Sequence, residues 1–375
     1  MKYAVCIPTY NRSELLQVVV GSIINDPSNP GFPIFVSSDS GSGYRNKEIE
    51  NLKKICNNCS KIYYTDTERS EPYKRQLEKL SGLSREVIDI AMNGGSAGAN
   101  RNRLLLLACT LGADAVIFSD DDMEAEDGFI EYHNMAMGGT ISQFLSKLKQ
   151  KGIKIEPNEK LTLTDLEKNI EVFSAGWRFY HQKRNRFYKE YEFLDKGFML
   201  DAGNLSMTSL VYSLIPFPLI SSEEDYVLGY YAQKMLEPLS GVVIRGRYAI
   251  SDHGKIISTD LITDLVGCHE LLDICAKITK KLVPSEKDFG KKMMSLIGKE
   301  VQNFTQSSEL EETLSNMISS KSEMFFKNKN PKDVTTRWKD NLYRTGVLYQ
   351  NWSELTDAAK RIDPIILEEF LLSNT

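Results

Sequence analysis

The feature that most limits what this chain can fold into is an alternation running through its first 125 or so residues. Short β-rich runs open into small polar loops, and each loop leads into apolar residues at helical spacing. "KYAVCIPTYN" is a strand-like run ending in a Pro-Thr turn, and "RSELLQVVVGSII" follows with a helical pattern that Ser13 is placed to cap. "FPIFVSSDSGSG" repeats the plan, with "NKEIENLKKIC" as its helix. "REVIDIAMNGGSAGANRNRLLLLACTLG" predicts a third strand, a glycine-rich loop and a third helix, and "ADAVIFSDDDM" a fourth strand that ends on three acids. Strands alternating with helices give a mostly parallel, Rossmann-like α/β sheet covered on both faces. The loops "PTYNR", "SSDSGSG", "NGGSAGANRN" and "SDDDM" would all sit at carboxyl ends of strands, where such sheets bind ligands, and are expected to converge on one crevice.

Beyond this frame the pattern weakens between about 138 and 172 into a lysine-rich stretch, "SKLKQKGIKIEPNEKL", which reads as an insertion or loop. Strand and helix signals return with "GNLSM", "SEEDYVLGYYAQKM" and "GVVIRGRYAISDHGK". From about 260 onward amphipathic helical stretches dominate. The expected organisation is a catalytic α/β domain over residues 1–260 and an α-helical C-terminal region over 261–375.

Apolar residues at 41% and charged residues at 26% place the chain among soluble globular proteins. A formal charge of −5 argues against a protein that grips nucleic acid through its phosphates. The start "MKYAVCIPTY" reads as a strand rather than a secretory signal, and the most apolar stretch, "LLLLACTLGADAVIF", is broken by Thr110, Gly112 and Asp114. No transmembrane anchor is expected. Most of the six cysteines sit in apolar runs, as reduced core residues of a cytoplasmic protein do. Cys56 and Cys59 have half the spacing of a zinc site but no second pair nearby, which favours a loop or helix end.

Three groups could carry chemistry. Asp120 and Asp122, one residue apart at a strand end, can reach one divalent cation, while the same acids equally suit a solvated turn that caps the next helix. The loop "NGGSAGANRN" lets backbone approach a ligand, with Arg101 and Arg103 to meet negative charge; taken alone, such a loop is more often a turn before a helix. "SSEEDY" sets Glu223, Glu224 and Asp225 at a helix start, where acids are favoured electrostatically and where one of them could also serve as a general base.

Together "CIPTYNR", "SDSGS", "NGGSAGANRN", "SDDDM", "GNLSM", "SEEDY" and a later His resemble, in order, the motifs of GT-A-fold glycosyltransferases of family 2, over roughly residues 1–255. The resemblance implies transfer of a sugar from a nucleotide diphosphate donor, expected to be a UDP-sugar, to an acceptor hydroxyl. It implies that Pro8, Thr9 and Asp39 line the base and ribose pocket, and that Arg12, Asn93, Gly95, Gly98 and Arg101 shape the nucleotide and phosphate site. Asp120 and Asp122 would hold Mn2+ or Mg2+, Asp121 would contact the donor, and Gly203 and Asn204 would form the turn under the sugar. Asp225 would be the catalytic base of an inverting reaction, and His253 a metal or phosphate contact. Two features depart from the family: Ser40 stands where a second acid is common, and the segment from Tyr44 to Ile90 is long enough to contain an insertion.

Four rival readings remain open at this level: a retaining transferase, a binding protein on the same fold, a sugar nucleotidyltransferase, and a metal-dependent phosphate hydrolase. The acceptor class is equally open among a glycan, a lipid-linked group, a small molecule and a peptide. "FSAGWRFYHQKRNRFYKEYEF" sets Trp177, Phe179, Tyr180, Phe187, Tyr188, Tyr191 and Phe193 among Lys183, Arg184 and Arg186, which suits either an acceptor surface or an ordinary strand pair. In the tail, "MFFKNKNPK" suits a membrane-surface contact less well than a packed helix end, and the C-terminal helices offer a route to a homo-oligomer.

Overall fold

The computed structural model describes residues 1–56, 61–93, 95–137, 141–150, 171–177, 194–196, 203–220, 224–236, 241–247, 250–252, 261–283, 288–319 and 331–372. Four parallel strands form the heart of the sheet: β1 (Tyr3–Thr9), β2 (Ile34–Ser38), β3 (Ile62–Asp66) and β4 (Ala115–Ser119). They lie in the order β3-β2-β1-β4. A strand β5 (Met123–Ala125) follows the acids of β4. The sheet continues through β8 (Asn204–Thr208), antiparallel to β4 and followed at once by the short helix α8 (Ser209–Tyr212), then β6 (Glu171–Trp177), β9 (Gly241–Arg247) and β7 (Leu194–Lys196). A separate antiparallel pair joins β5 to β10 (Ile250–Asp252).

Side chains alternate across a strand, and the first four strands use both faces. Tyr3, Val5 and Ile7 face α1 (Ser13–Asn25) and α2 (Ser42–Ile55), in one buried cluster with Leu16, Val19, Ile23 and Leu52. Ala4, Cys6, Phe35 and Phe118 belong to the opposite cluster, with α3 (Glu71–Ser81), α4 (Arg85–Met92) and α5 (Ala97–Leu111). This is the α/β class expected, with helices on both faces.

Helix α5 is buried along nearly its whole length, because a second helical layer covers its outer side. That layer comprises α10 (Leu261–Thr279), α11 (Phe289–Thr305), α12 (Ser308–Ser319) and α13 (Pro331–Ala359). Trp352, Leu355 and Ala359 of α13 lie in the same cluster as Leu106 and Phe118. Hydrogen bonds reinforce the contact: Thr110 donates to Ala359 O at 2.9 Å, and Trp352 to Tyr212 O at 3.1 Å.

The sequence reading needs three corrections here. The third strand is Ile62–Asp66, not the run beginning at Arg85, which is helix α4. Ile88, Ala91 and Met92 lie on its buried face at helical spacing, and a short apolar run cannot separate this from a strand. The long segment from Tyr44 to Ile90 therefore carries most of α2, with β3, α3 and most of α4. The lysine-rich stretch also begins with a helix, α7 (Ile141–Gln150), after α6 (Phe129–Ala136). Arg12, not Ser13, occupies the N-cap of α1.

Candidate active site

Three acids at the mouth of β4 repel one another, so their positions depend on what compensates them. Arg12, entering from the loop after β1, donates to Asp121 Oδ1 at 2.9 Å and to Asp122 Oδ2 at 2.6 Å. Arg101, from the first turns of α5, donates to Asp120 Oδ1 at 2.7 Å. Asp121 is buried and also accepts from Thr9 Oγ1 at 2.7 Å and from the Tyr10 N–H at 3.2 Å. Burial pushes its carboxyl up to about 7, against the opposing pull of Arg12 and the Thr9 hydroxyl.

The second hand of Arg101 reaches Glu224, the first residue of helix α9 (Glu224–Leu236). Burial disfavours the guanidinium charge, but Asp120, Glu224 and Asp225 together outweigh it and hold Arg101 protonated above its ordinary range. The ring of Phe217 lies 5.6 Å from its guanidinium carbon. Among the described residues, Asp120, Asp121, Asp122, Glu224 and Asp225 thus face the guanidiniums of Arg12 and Arg101.

The loops after β2 and α4 are tied to the same crevice. The Asp39 N–H donates to Thr9 O at 3.1 Å, while its Oδ1 accepts from Arg103 at 3.1 Å and its Oδ2 from the Gly95 N–H at 3.3 Å. Arg103 is fully buried and also donates to Met92 O, Ser37 Oγ and Ser38 O. Asn100 donates to Thr9 O at 3.3 Å. The glycine-rich loop therefore joins the crevice although it follows a helix rather than a strand. Pro8 is buried in β1 beside Ser37, and Asn93 caps α4 where it accepts from Lys74 Nζ. Gly98 is buried where a Cβ would meet Pro218 O at 2.1 Å, so it lets α5 approach the 217–218 segment closely.

No family model matches this chain, and no curated protein matches it. Among solved structures, a 1–349 form of S. aureus TarS with UDP is 13% identical, with 92% of this chain and 90% of that chain covered and a TM-score of 0.42. This chain covers 55% of a longer TarS structure. Glucosyl-3-phosphoglycerate synthase from Mycobacterium tuberculosis, with Mn2+, UDP-glucose and phosphoglyceric acid, is 13% identical over 71% of this chain and 79% of that one, at a TM-score of 0.38. At these values the functional reading rests on the site's own residues.

On the far wall of the crevice, Gly203 and Asn204 lead into β8. Gly203 O accepts from the Asp120 N–H at 3.2 Å, and a Cβ at Gly203 would come within 2.7 Å of Asp120 Oδ2. Asn204 is buried opposite Ser119, and its Oδ1 lies 2.9 Å from His133 Nε2. Its Nδ2 has no hydrogen-bond partner among the described residues. Asp225 follows Glu224 in the first turn of α9, half-buried, with Oδ1 accepting the Tyr226 N–H at 2.9 Å.

Sequence reasoning placed Glu224 only among the acids of a helix start, without its Arg101 partner, and missed His133 and Glu48. Glu48 is fully buried on α2 and accepts from Ser38 Oγ, Ser40 Oγ and Tyr64 OH at 2.8, 2.5 and 2.8 Å. It brings a carboxylate to Ser40, the position where an acid was expected. Nothing in "NKEIENL" marks Glu48 as buried, so the sequence carried no signal for it. His253, Glu223, Cys59 and the aromatic run 178–193 lie outside the described residues.

A divalent cation can be tested against this arrangement. Among the described residues no three His, Cys, Asp or Glu side chains are grouped to hold a metal alone. Asp120 and Asp122 nevertheless supply hard oxygens, and glycine at 203 keeps a Cβ away from Asp120 Oδ2. The residues fit Mg2+ or Mn2+ shared with a substrate phosphate, which such ions often require to complete their shell.

Proposed function

We propose that the protein is a metal-dependent glycosyltransferase that moves a sugar from a UDP-sugar to an acceptor hydroxyl with inversion. The observation that carries the reading is Arg101: one guanidinium reaches Asp120 of the acid loop and Glu224 beside Asp225, so a donor-side acid and a candidate base border one crevice. Asp120 and Asp122 are the residues that would hold Mn2+ or Mg2+, with His253 as a further candidate contact from the sequence resemblance. The bound cation would supply neutralisation of the charge that grows on the leaving diphosphate.

The chain's own groups do the rest. Thr9, Asp39 and the Gly95 loop form the nucleotide end, with Asp39 held on both its oxygens. Asp121, fixed by Thr9, Tyr10 and Arg12, presents a carboxyl to the donor. Asp225 takes the proton of the acceptor hydroxyl as its oxygen forms the new bond to the anomeric carbon and the nucleoside diphosphate departs on the opposite side.

The first probes are UDP and UDP-glucose, the ligands held in the structures named above, followed by other nucleotide sugars. Binding in the presence of Mn2+ and slow release of UDP are expected. Asp225→Asn should keep UDP affinity and lose turnover by about 100-fold or more, the usual scale for a general base. Undiminished turnover would remove Asp225 from that role, and failure of every nucleotide sugar to bind would end the glycosyltransferase reading.

A further inference from the structure

Helix α9 starts at the crevice with Glu224, and the side chain of Glu224 is buried. A carboxylate buried at a helix start is favoured by the helix dipole, but that alone is capping and says nothing of function. The distinguishing observation is its partner. Arg101 sits on another element 123 residues away, is itself buried, and spends its second hand on Asp120. Charge-assisted pairs of this kind are directional, so each fixes the orientation of the group it holds. The pair pins the first turn of α9 to the acid loop through one rigid planar group. Asp225 is the next residue along that turn.

We propose that Glu224 is a positioning residue: through Arg101 it sets where the first turn of α9 stands relative to Asp120, and so where Asp225 meets the acceptor hydroxyl. This rests on the glycosyltransferase reading with Asp225 as base. Glu224 touches neither donor nor acceptor in this role. Its loss therefore affects the chemical step and leaves the nucleotide end, held by Arg103, Asp39 and Gly95, as it was. A misplacement of about 1 Å at a reacting group is enough to lower a rate by about 100-fold.

The test compares wild type, Glu224→Gln, Glu224→Asp and Asp225→Asn in the full chain. UDP affinity with Mn2+ is measured by calorimetry, and kcat and KM are measured for hydrolysis of whichever UDP-sugar the wild type cleaves. Glu224→Gln keeps the size of the side chain and removes its charge. It is expected to lower kcat by about 10- to 100-fold, with KM and UDP affinity within about 3-fold of wild type. Glu224→Asp keeps the charge and is expected to lose less.

If Glu224→Gln turns over like wild type while Asp225→Asn is inactive, Glu224 positions nothing. If UDP affinity in Glu224→Gln falls in step with kcat, Glu224 supports the donor site as a whole and the proposal is overturned. A wild type that neither binds UDP nor cleaves any UDP-sugar is a different failure, that of the glycosyltransferase reading itself.

Discussion

At the scale of single residues, the site depends on buried charges meeting over long sequence distances. Arg103 joins Asp39, Ser37, Ser38 and Met92 with no exposure to water, while buried Arg101 and partly exposed Arg12 tie the acid loop in the same way. His133 shows the opposite case, a titratable group kept neutral. Burial holds its pKa down to about 4, against the Asn204 contact that raises it. The unfolded chain therefore binds a proton that the folded chain excludes between about pH 6.5 and 4, so stability is present at neutral pH and lost as pH falls through that window. This site alone is expected to account for about 3 kcal/mol of acid destabilisation. His133→Gln should flatten that part of a pH series of urea midpoints, and an unchanged slope would place the acid sensitivity elsewhere. None of these partners was legible in the sequence. "ANRNR" showed two arginines ready to meet negative charge, but which carboxylates they meet is decided by segments 19 to 123 residues distant.

At the scale of elements, legibility followed how distinctive each local pattern is. The strands β1, β2 and β4 and the helices α1, α2 and α5 could be read because long apolar runs and clear helical spacing leave little choice. "IYYTD" is rich in β-forming residues and still went unread, since "VIDIAM" further on offered a competing short apolar run. The C-terminal helices were visible as amphipathic text, but their packing was not. Helices α11 and α13 cross at two glycines: a Cβ at Gly298 would meet Gly346 O at 2.6 Å, and one at Gly346 would meet Gly298 O at 2.8 Å. Backbones this close leave no room for a side chain. Gly298→Leu is expected to cost about 1–3 kcal/mol, read as a lower thermal midpoint, and a neutral effect would mean the crossing is looser than this geometry.

At the scale of the whole molecule, the helical layer and the sheet share one core. Leu348, Trp352 and Phe370 belong to the buried cluster that also holds Cys6, Leu106 and Phe118. Removing residues 261–375 would expose the outer side of α5, an apolar area that a soluble protein rarely leaves uncovered. The truncated 1–260 chain is therefore expected to be insoluble, and the full chain to unfold in one transition seen equally by tryptophan fluorescence and circular dichroism. Two separated transitions would instead mark the helical region as an independent unit. Among the described residues no helix is long and apolar enough to cross a membrane.

The Leu371–Leu372 segment has a further consequence. Leu371 bridges Tyr63, and the Leu372 N–H donates to Ile62 O at 2.8 Å, which places two residues against β3, the outermost strand on that side of the sheet. An uncovered edge strand is a template on which a second molecule can add its own strand. By occupying the Ile62–Tyr63 end of that edge itself, the chain shortens the template it offers to its neighbours.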